Sequence, residues 1–251
     1  MASRLRISGV VLIIVGLLAW GAAGYAFMRM QGGSDALQGF SEAQNVTLSY
    51  NEDGKLVDRG VVQGEGDDDI LALLGDTWKW PIDNGELNPK DPIVNTATEY
   101  MYQMATIAFH TLHGSQSVVL TQPVYWDGSA VVDSPPAGAT TYNGGEWDPS
   151  TVAEPAIFNP GTYTVPVDGR YWTGFNRLHP LDGPAREQAW NGTVHGLFAE
   201  LGVGATTATS LQMAFGIVGI TALMGLGFVV SGGAMIWIGG AARKEEEPAT
   251  A

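Results

Sequence analysis

Cysteine is absent from all 251 residues. That excludes a disulfide framework, a zinc–thiolate site, an iron–sulfur cluster and a thiol nucleophile together. An exported domain built from this chain therefore draws its stability from packing or from partners. Histidine is scarce, with only His110, His113, His179 and His195. Basic residues are few as well: 12 Lys and Arg face 26 Asp and Glu, for a formal charge of −14. Between residues 30 and 210 the imbalance is steeper, seven basic against 23 acidic, a net of 7 − 23 = −16. Such a surface repels nucleic acid and anionic headgroups and draws cations or basic proteins toward it. No nucleic-acid partner is expected, and solubility or adaptation to a salty medium is the simplest account of the charge.

Catalytic signatures are missing too. The chain has no Gly-x-Ser-x-Gly elbow, no GxxxxGK[ST] phosphate loop and no GxGxxG after a strand. Glu146, Asp148 and Glu154 are close in sequence, but carboxylates that hydrolyse sugars need a defined separation across a cleft. In so acidic a region their proximity carries no weight.

The clearest features present are two apolar runs. Residues 7–28 (ISGVVLIIVGLLAWGAAGYAFM) hold 22 positions without a charge, and roughly 20 apolar helical residues cross a bilayer core. A cleaved secretory signal is the competing reading, since Arg4 and Arg6 precede the run and small residues follow it; an uncleaved anchor is the expectation. The second run is stronger, with no charged residue between Glu200 and Arg243. The alternative, a buried helix of a soluble domain, would have to be unusually long and uncharged on every side.

The expected layout is a cytoplasmic N-terminus (1–6), transmembrane helix 1 (7–28), an extracytoplasmic α+β domain (29–205), transmembrane helix 2 (206–242) and a cytoplasmic tail (243–251). Arg4 and Arg6 on one side, and Arg243 and Lys244 on the other, favour two cytoplasmic ends in the cell membrane, with Arg29 a contrary vote. Neither span has an ionisable residue at its middle, which argues against a proton relay, ion path or voltage sensor. Both are rich in small residues. Ala19/Ala23, Ala22/Ala26, Thr221/Gly225 and Gly227/Ser231 stand four apart, and eight glycines fall between residues 211 and 240. Small residues at that spacing let helix backbones approach closely. Packing between the spans, or against other membrane subunits or a second copy, is expected.

Within the domain, Gly32-Gly33-Ser34 reads as a hinge. Residues 46–50 alternate as a strand, and an Asp53-Gly54 turn follows. Asp67, Asp68 and Asp69 lie where a helix beginning before Ile70 prefers acidic residues; an EF-hand would need alternating ligands and a distal glutamate. Residues 78–91 read as loop, with Trp78 and Trp80 expected in the core. The helical period predicts a helix over 95–113, with Met101, Met104, Ala105, Ala108 and Leu112 inward and Glu99, Gln103, Thr106, His110 and His113 outward. Gly114 is placed to end it.

Strands are expected at 117–126, at 129–133 after an Asp127-Gly128 turn, and at 161–167, the last an edge strand because of Pro166. A long loop, 134–160, separates them, and Trp172, Phe175 and Trp190 cluster nearby in sequence. A last helix is predicted after Pro184, with Trp190, Val194, Leu197 and Leu201 on one face and a break at Gly202-Val203-Gly204. Asn45-Val46-Thr47 and Asn191-Gly192-Thr193 match glycosylation acceptors.

His110 and His113, in FHTLHG, are the candidate metal ligands. On a helix they project about 60° apart and can share one ion. Zinc or copper needs a third ligand, and Glu99, eleven residues away, is about 16 Å along the axis. Only His179 or His195 could complete the histidine set, and the zincin pattern is absent because Thr111 follows His110. The ordinary alternative is a pair of polar-face histidines hydrogen-bonded to neighbours. Two functions remain open: a non-catalytic accessory or scaffolding subunit of a membrane complex, and an extracytoplasmic metal-binding or metal-dependent enzyme domain.

Overall fold

The structure is a computed structural model, and it describes residues 2–58, 66–149, 151, 153–170 and 174–246. Two compact units divide the chain. Met1–Asn45 and Thr206–Ala251 form one, and Val46–Ala205 the other.

The first unit is a pair of helices, each long and apolar enough to cross a membrane. Helix α1 (Ala2–Gln44) has no hydrophobic face in the ordinary sense, because Ile7, Val10, Leu17, Leu18 and Met28 all point outward. Its buried positions from Ala2 to Met30 are Ala2, Gly9, Gly16, Ala23 and Met30, one every seventh residue, with Ser41 buried near the end of the helix. Gly32, Gly33 and Ser34 are helical, so the expected hinge is instead part of one continuous helix. The chain leaves α1 at Asn45, whose φ of 51° suits the residue best able to adopt a left-handed turn after glycine.

The second unit is the α+β domain, and among its described residues it holds two small sheets. Helix α2 (Gly66–Ala72) runs into a π-helical turn over Leu73–Thr77. Helix α3 (Ala97–Leu112) follows. The strands are β1 (Ser115–Leu120), β2 (Val124–Trp126), β3 (Val131–Val132), β4 (Thr140–Tyr142), β5 (Gly145–Glu146), β6 (Ala156–Phe158) and β7 (Gly161–Pro166). One sheet has the order β1-β7-β5 and the other β3-β2-β6-β4. Helix α4 (Asp182–Ala189) follows, then α5 (Gly192–Glu246), whose residues from Thr206 belong to the helical pair.

Four expectations change here. The 134–160 loop contains β4, β5 and β6, strands too short for alternation to reveal. Strand β7 is central rather than at an edge, paired antiparallel with β1 and parallel with β5. Pro166 is tolerated because it pairs only with Ser115, beyond the two residues where β5 reaches β7. The predicted last helix is two helices: Trp190 closes α4, and Asn191 starts α5 by accepting the Val194 amide on its side chain at 3.0 Å. The predicted break at 202–204 is absent. Gly204 is needed there because any Cβ would run into the Tyr100 ring.

Helix α3 fits the predicted span, with Gly114 at φ 90° just past its end. Its polar face does not fit. Glu99 is only 1% exposed, closing a capping box in which Thr96 Oγ1 accepts the Glu99 amide and the Glu99 carboxylate accepts the Thr96 amide at 2.9 Å. Tyr100 and Tyr102 are buried, while Met101 and Met104 are only half-buried. The core gathers Ala108 and Leu112 of α3 with Val118, Trp126, Trp147, Phe158, Tyr163, Val165, Leu181 and Ala185. Trp78, Phe175 and Trp190 pack at its margin as half-buried rings, while Trp172 lies outside the described residues. The Asp127-Gly128 turn is present, with Gly128 at φ 100° and Asp127 Oδ1 accepting the amides of Ser129 and Ala130. Those bonds hold the Asp127 carboxyl below its ordinary value.

Candidate functional site

Helix α3 ends one residue before His113. That residue is extended (φ −110°, ψ 135°), so its ring leaves the helical path that would have set it beside His110. Phe109 separates the two, stacked on His113 with centroids 5.2 Å apart and edge-on to His110 at 5.4 Å. Each histidine has its own carboxylate. His110 Nε2 lies 2.9 and 2.8 Å from the two oxygens of Asp58, and His113 Nδ1 lies 2.9 Å from Asp168. Asp58 had no signal in the sequence, because 52 residues separate it from His110.

His179 is elsewhere, 3% exposed in a box of aromatic rings. Trp147 stacks on it at 4.6 Å, with Trp126 and Phe158 edge-on at 5.1 and 5.3 Å. Its Nδ1 accepts the Leu181 amide at 3.1 Å and faces that of Asp182 at 3.4 Å. This assigns the proton to Nε2, which has no hydrogen-bond partner among the described residues. His195 sits on the first turn of α5, with Nδ1 3.0 Å from the Asn191 carbonyl and its ring 4.8 Å from Trp190. The four histidines thus occupy separate settings. Among the described residues no three His, Asp or Glu side chains are grouped to hold a metal. Of the acidic trio, Glu154 accepts the indole N–H of Trp126 at 3.1 Å.

Burial keeps the His179 imidazole below its ordinary value of 6.5; Asp182 and Glu154 pull the other way, and Arg170 adds to the lowering. Above pH 6.5 both folded and unfolded chains carry the neutral ring. As pH falls below that value the unfolded chain takes up the proton first, so stability declines until the lowered native value is reached. Urea titrations at pH 7 and pH 5 should show this slope, at most about 1.4 kcal/mol per pH unit, and His179→Phe should flatten it. An equal slope in that variant would assign the effect to other groups.

The small residues of the spans come together by sevens rather than by fours. A Cβ on Gly9 would meet the Gly232 carbonyl at 2.6 Å, and one on Gly16 the Gly225 carbonyl at 2.6 Å. Gly239 faces Ala2 and Arg6 in the same way. The helices are antiparallel, and Trp20 Nε1 donates to the Ala222 carbonyl at 2.8 Å across the seam. Of the residues singled out by four-residue spacing, Ala23 and Gly225 are in the seam. Ala19 and Thr221 are half-buried, and Thr221 Oγ1 donates to its own helix at Ile217. Gly227 and Ser231 face away, Gly227 into open space. Gly9, Gly16, Gly232 and Gly239 were missed, although their seven-residue interval is visible in the sequence.

No family model, curated protein or solved structure matches this chain.

Proposed function

We propose that the chain is a two-pass protein of the cell membrane, with both termini cytoplasmic and its acidic domain outside. In this reading it serves as a non-catalytic accessory or scaffolding subunit. The orientation rests on Arg4, Arg6, Arg243 and Lys244 flanking the apolar runs. The interaction role rests on one observation above all. After the seam has used Gly225, Gly232 and Gly239, a second set of glycines on α5 still has nothing within 4 Å. Gly216, Gly219 and Gly227 fall within about 80° of one another on the face opposite the seam, at 100° per residue. Glycine costs a helix about 1 kcal/mol relative to alanine, and close approach by another helix is its usual use in a membrane.

Gentle-detergent purification followed by light scattering tests the reading. A defined oligomer or a complex with other membrane subunits is expected, and Gly219→Leu with Gly227→Leu should dissociate it while leaving the α1–α5 pair intact. A monomer in the unsubstituted chain, or an assembly untouched by both leucines, would count against it.

A further inference from the structure

Beside the His110–Asp58 pair the domain has a cavity of about 140 Å³. That is room for roughly five waters, or for an organic molecule of similar heavy-atom count. Leu48, Val57 and the Tyr102 ring form apolar walls, and all three residues are buried. The polar lining is Asp58, Thr47, Ser49, Gln103 and Thr106. Asp58 is the one ionisable group among them apart from the Tyr102 phenol, and its side chain is 11% exposed.

We propose that this cavity binds a small primary-ammonium compound, with Asp58 as counter-ion and the neighbouring hydroxyl and amide oxygens as acceptors. Three observations carry it. First, among the described residues the lining contains a carboxylate and no Lys or Arg, which rejects anions. A neutral polyol would bring no charge to the carboxylate, whose one side-chain partner among those residues is the His110 ring. Second, His110 Nε2 approaches both carboxylate oxygens from its own side and fixes the plane of Asp58, while each oxygen keeps lone pairs for a second donor. Third, the oxygens of Thr47 and Ser49 and the amide of Gln103 accept no side-chain hydrogen bond from other described residues, and Thr106 Oγ1, which donates to the Tyr102 carbonyl at 3.0 Å, still has lone pairs. An ammonium group has three hydrogens to place on such acceptors. The surrounding field favours the same sign, given the net −16 of residues 30–210. A divalent metal is a poorer fit, because one carboxylate is present where such ions gather several.

The site does not depend on the scaffolding role. The test uses the full chain in detergent micelles, titrated with methylammonium, ethanolammonium and putrescine chlorides and followed by saturation-transfer NMR. At least one of the three should saturate a single site, Asp58→Asn should weaken it at least tenfold, and His113→Ala should leave it within twofold. If Asp58→Asn does not fold, Ser49→Val decides, with a loss of at least threefold expected. Saturation by none of the three amines, binding undiminished in the folded variant tested, or Asp58-dependent binding of glycerol or calcium chloride in their place would each overturn the proposal.

Discussion

Gly16→Leu is expected to force α1 and α5 apart. A Cβ there already meets the Gly225 carbonyl at 2.6 Å and Val229 at 2.8 Å, and both neighbours belong to a helix backbone or a β-branched side chain with little room to yield. Overpacking of a close contact costs about 1–3 kcal/mol, more where backbone must shift. Because dispersion across the seam is the main force joining helices in an apolar medium, little else compensates. The absence of cysteine makes the measurement clean. Cysteines placed at Phe27 and Phe215, whose rings pack edge-to-face at 6.0 Å, should be joined by a short bis-maleimide crosslinker in an otherwise unsubstituted chain. Gly16→Leu should reduce that crosslink more than tenfold, and Gly227→Leu should leave it unchanged. Equal crosslinking in all three would remove the seam as the basis of the pair.

Arg170→Ala is expected to destabilise the domain by about 3–5 kcal/mol, the range for stranding one partner of a buried ion pair. Arg170 Nη2 bonds Asp182 Oδ2 at 2.5 Å, and the guanidinium also donates to the carbonyls of Pro166 and Gly174. It lies 4.4 Å over the Phe175 ring. One group thereby ties the end of β7, the turn after it and the start of α4. Without it Asp182, 3% exposed, keeps the Asn176 amide at 3.0 Å as the remaining bond to its Oδ2. Urea unfolding followed by tryptophan fluorescence should show a midpoint lower by about 1–3 M with an unchanged slope. Arg170→Met with Asp182→Leu should recover much of the loss, since an apolar pair avoids the stranded charge. A midpoint shift below 0.5 M, of the order of about 1 kcal/mol, would show that the pair is not a keystone.

What could be read from the residues alone followed the strength of their periodic signals. The apolar runs were legible because composition alone excludes charge over more than 20 positions. Helix α3 was legible because sixteen residues give 3.6-residue periodicity room to appear. Glu99 misled because charge assigned it to water, whereas three local hydrogen bonds to residues 95 and 96 allow its burial. Burial in turn raises its carboxyl above the ordinary value of 4.5. Strands β4, β5 and β6, at two or three residues each, exist through their partners and have no pattern of their own. The His110–Asp58 contact is of the same kind, since the fold brings together residues that the sequence keeps far apart.

The glycine seam leaves open a question of register that the aromatic side chains beside it answer. Gly9 lies against Gly232 and Gly16 against Gly225, yet sliding α1 by one heptad would set Gly16 against Gly232 and Gly9 against Gly239. Glycine faces glycine in both alignments, so the seam acts like a ruler with identical graduations. Contacts outside the glycines distinguish them: Phe27 packs on the Phe215 ring and Trp20 donates to the Ala222 carbonyl, whereas the shifted alignment would set Phe27 against the small Ala222. Phe27→Ala with Trp20→Ala would remove both marks, turning a single alignment of the two helices into a choice between two.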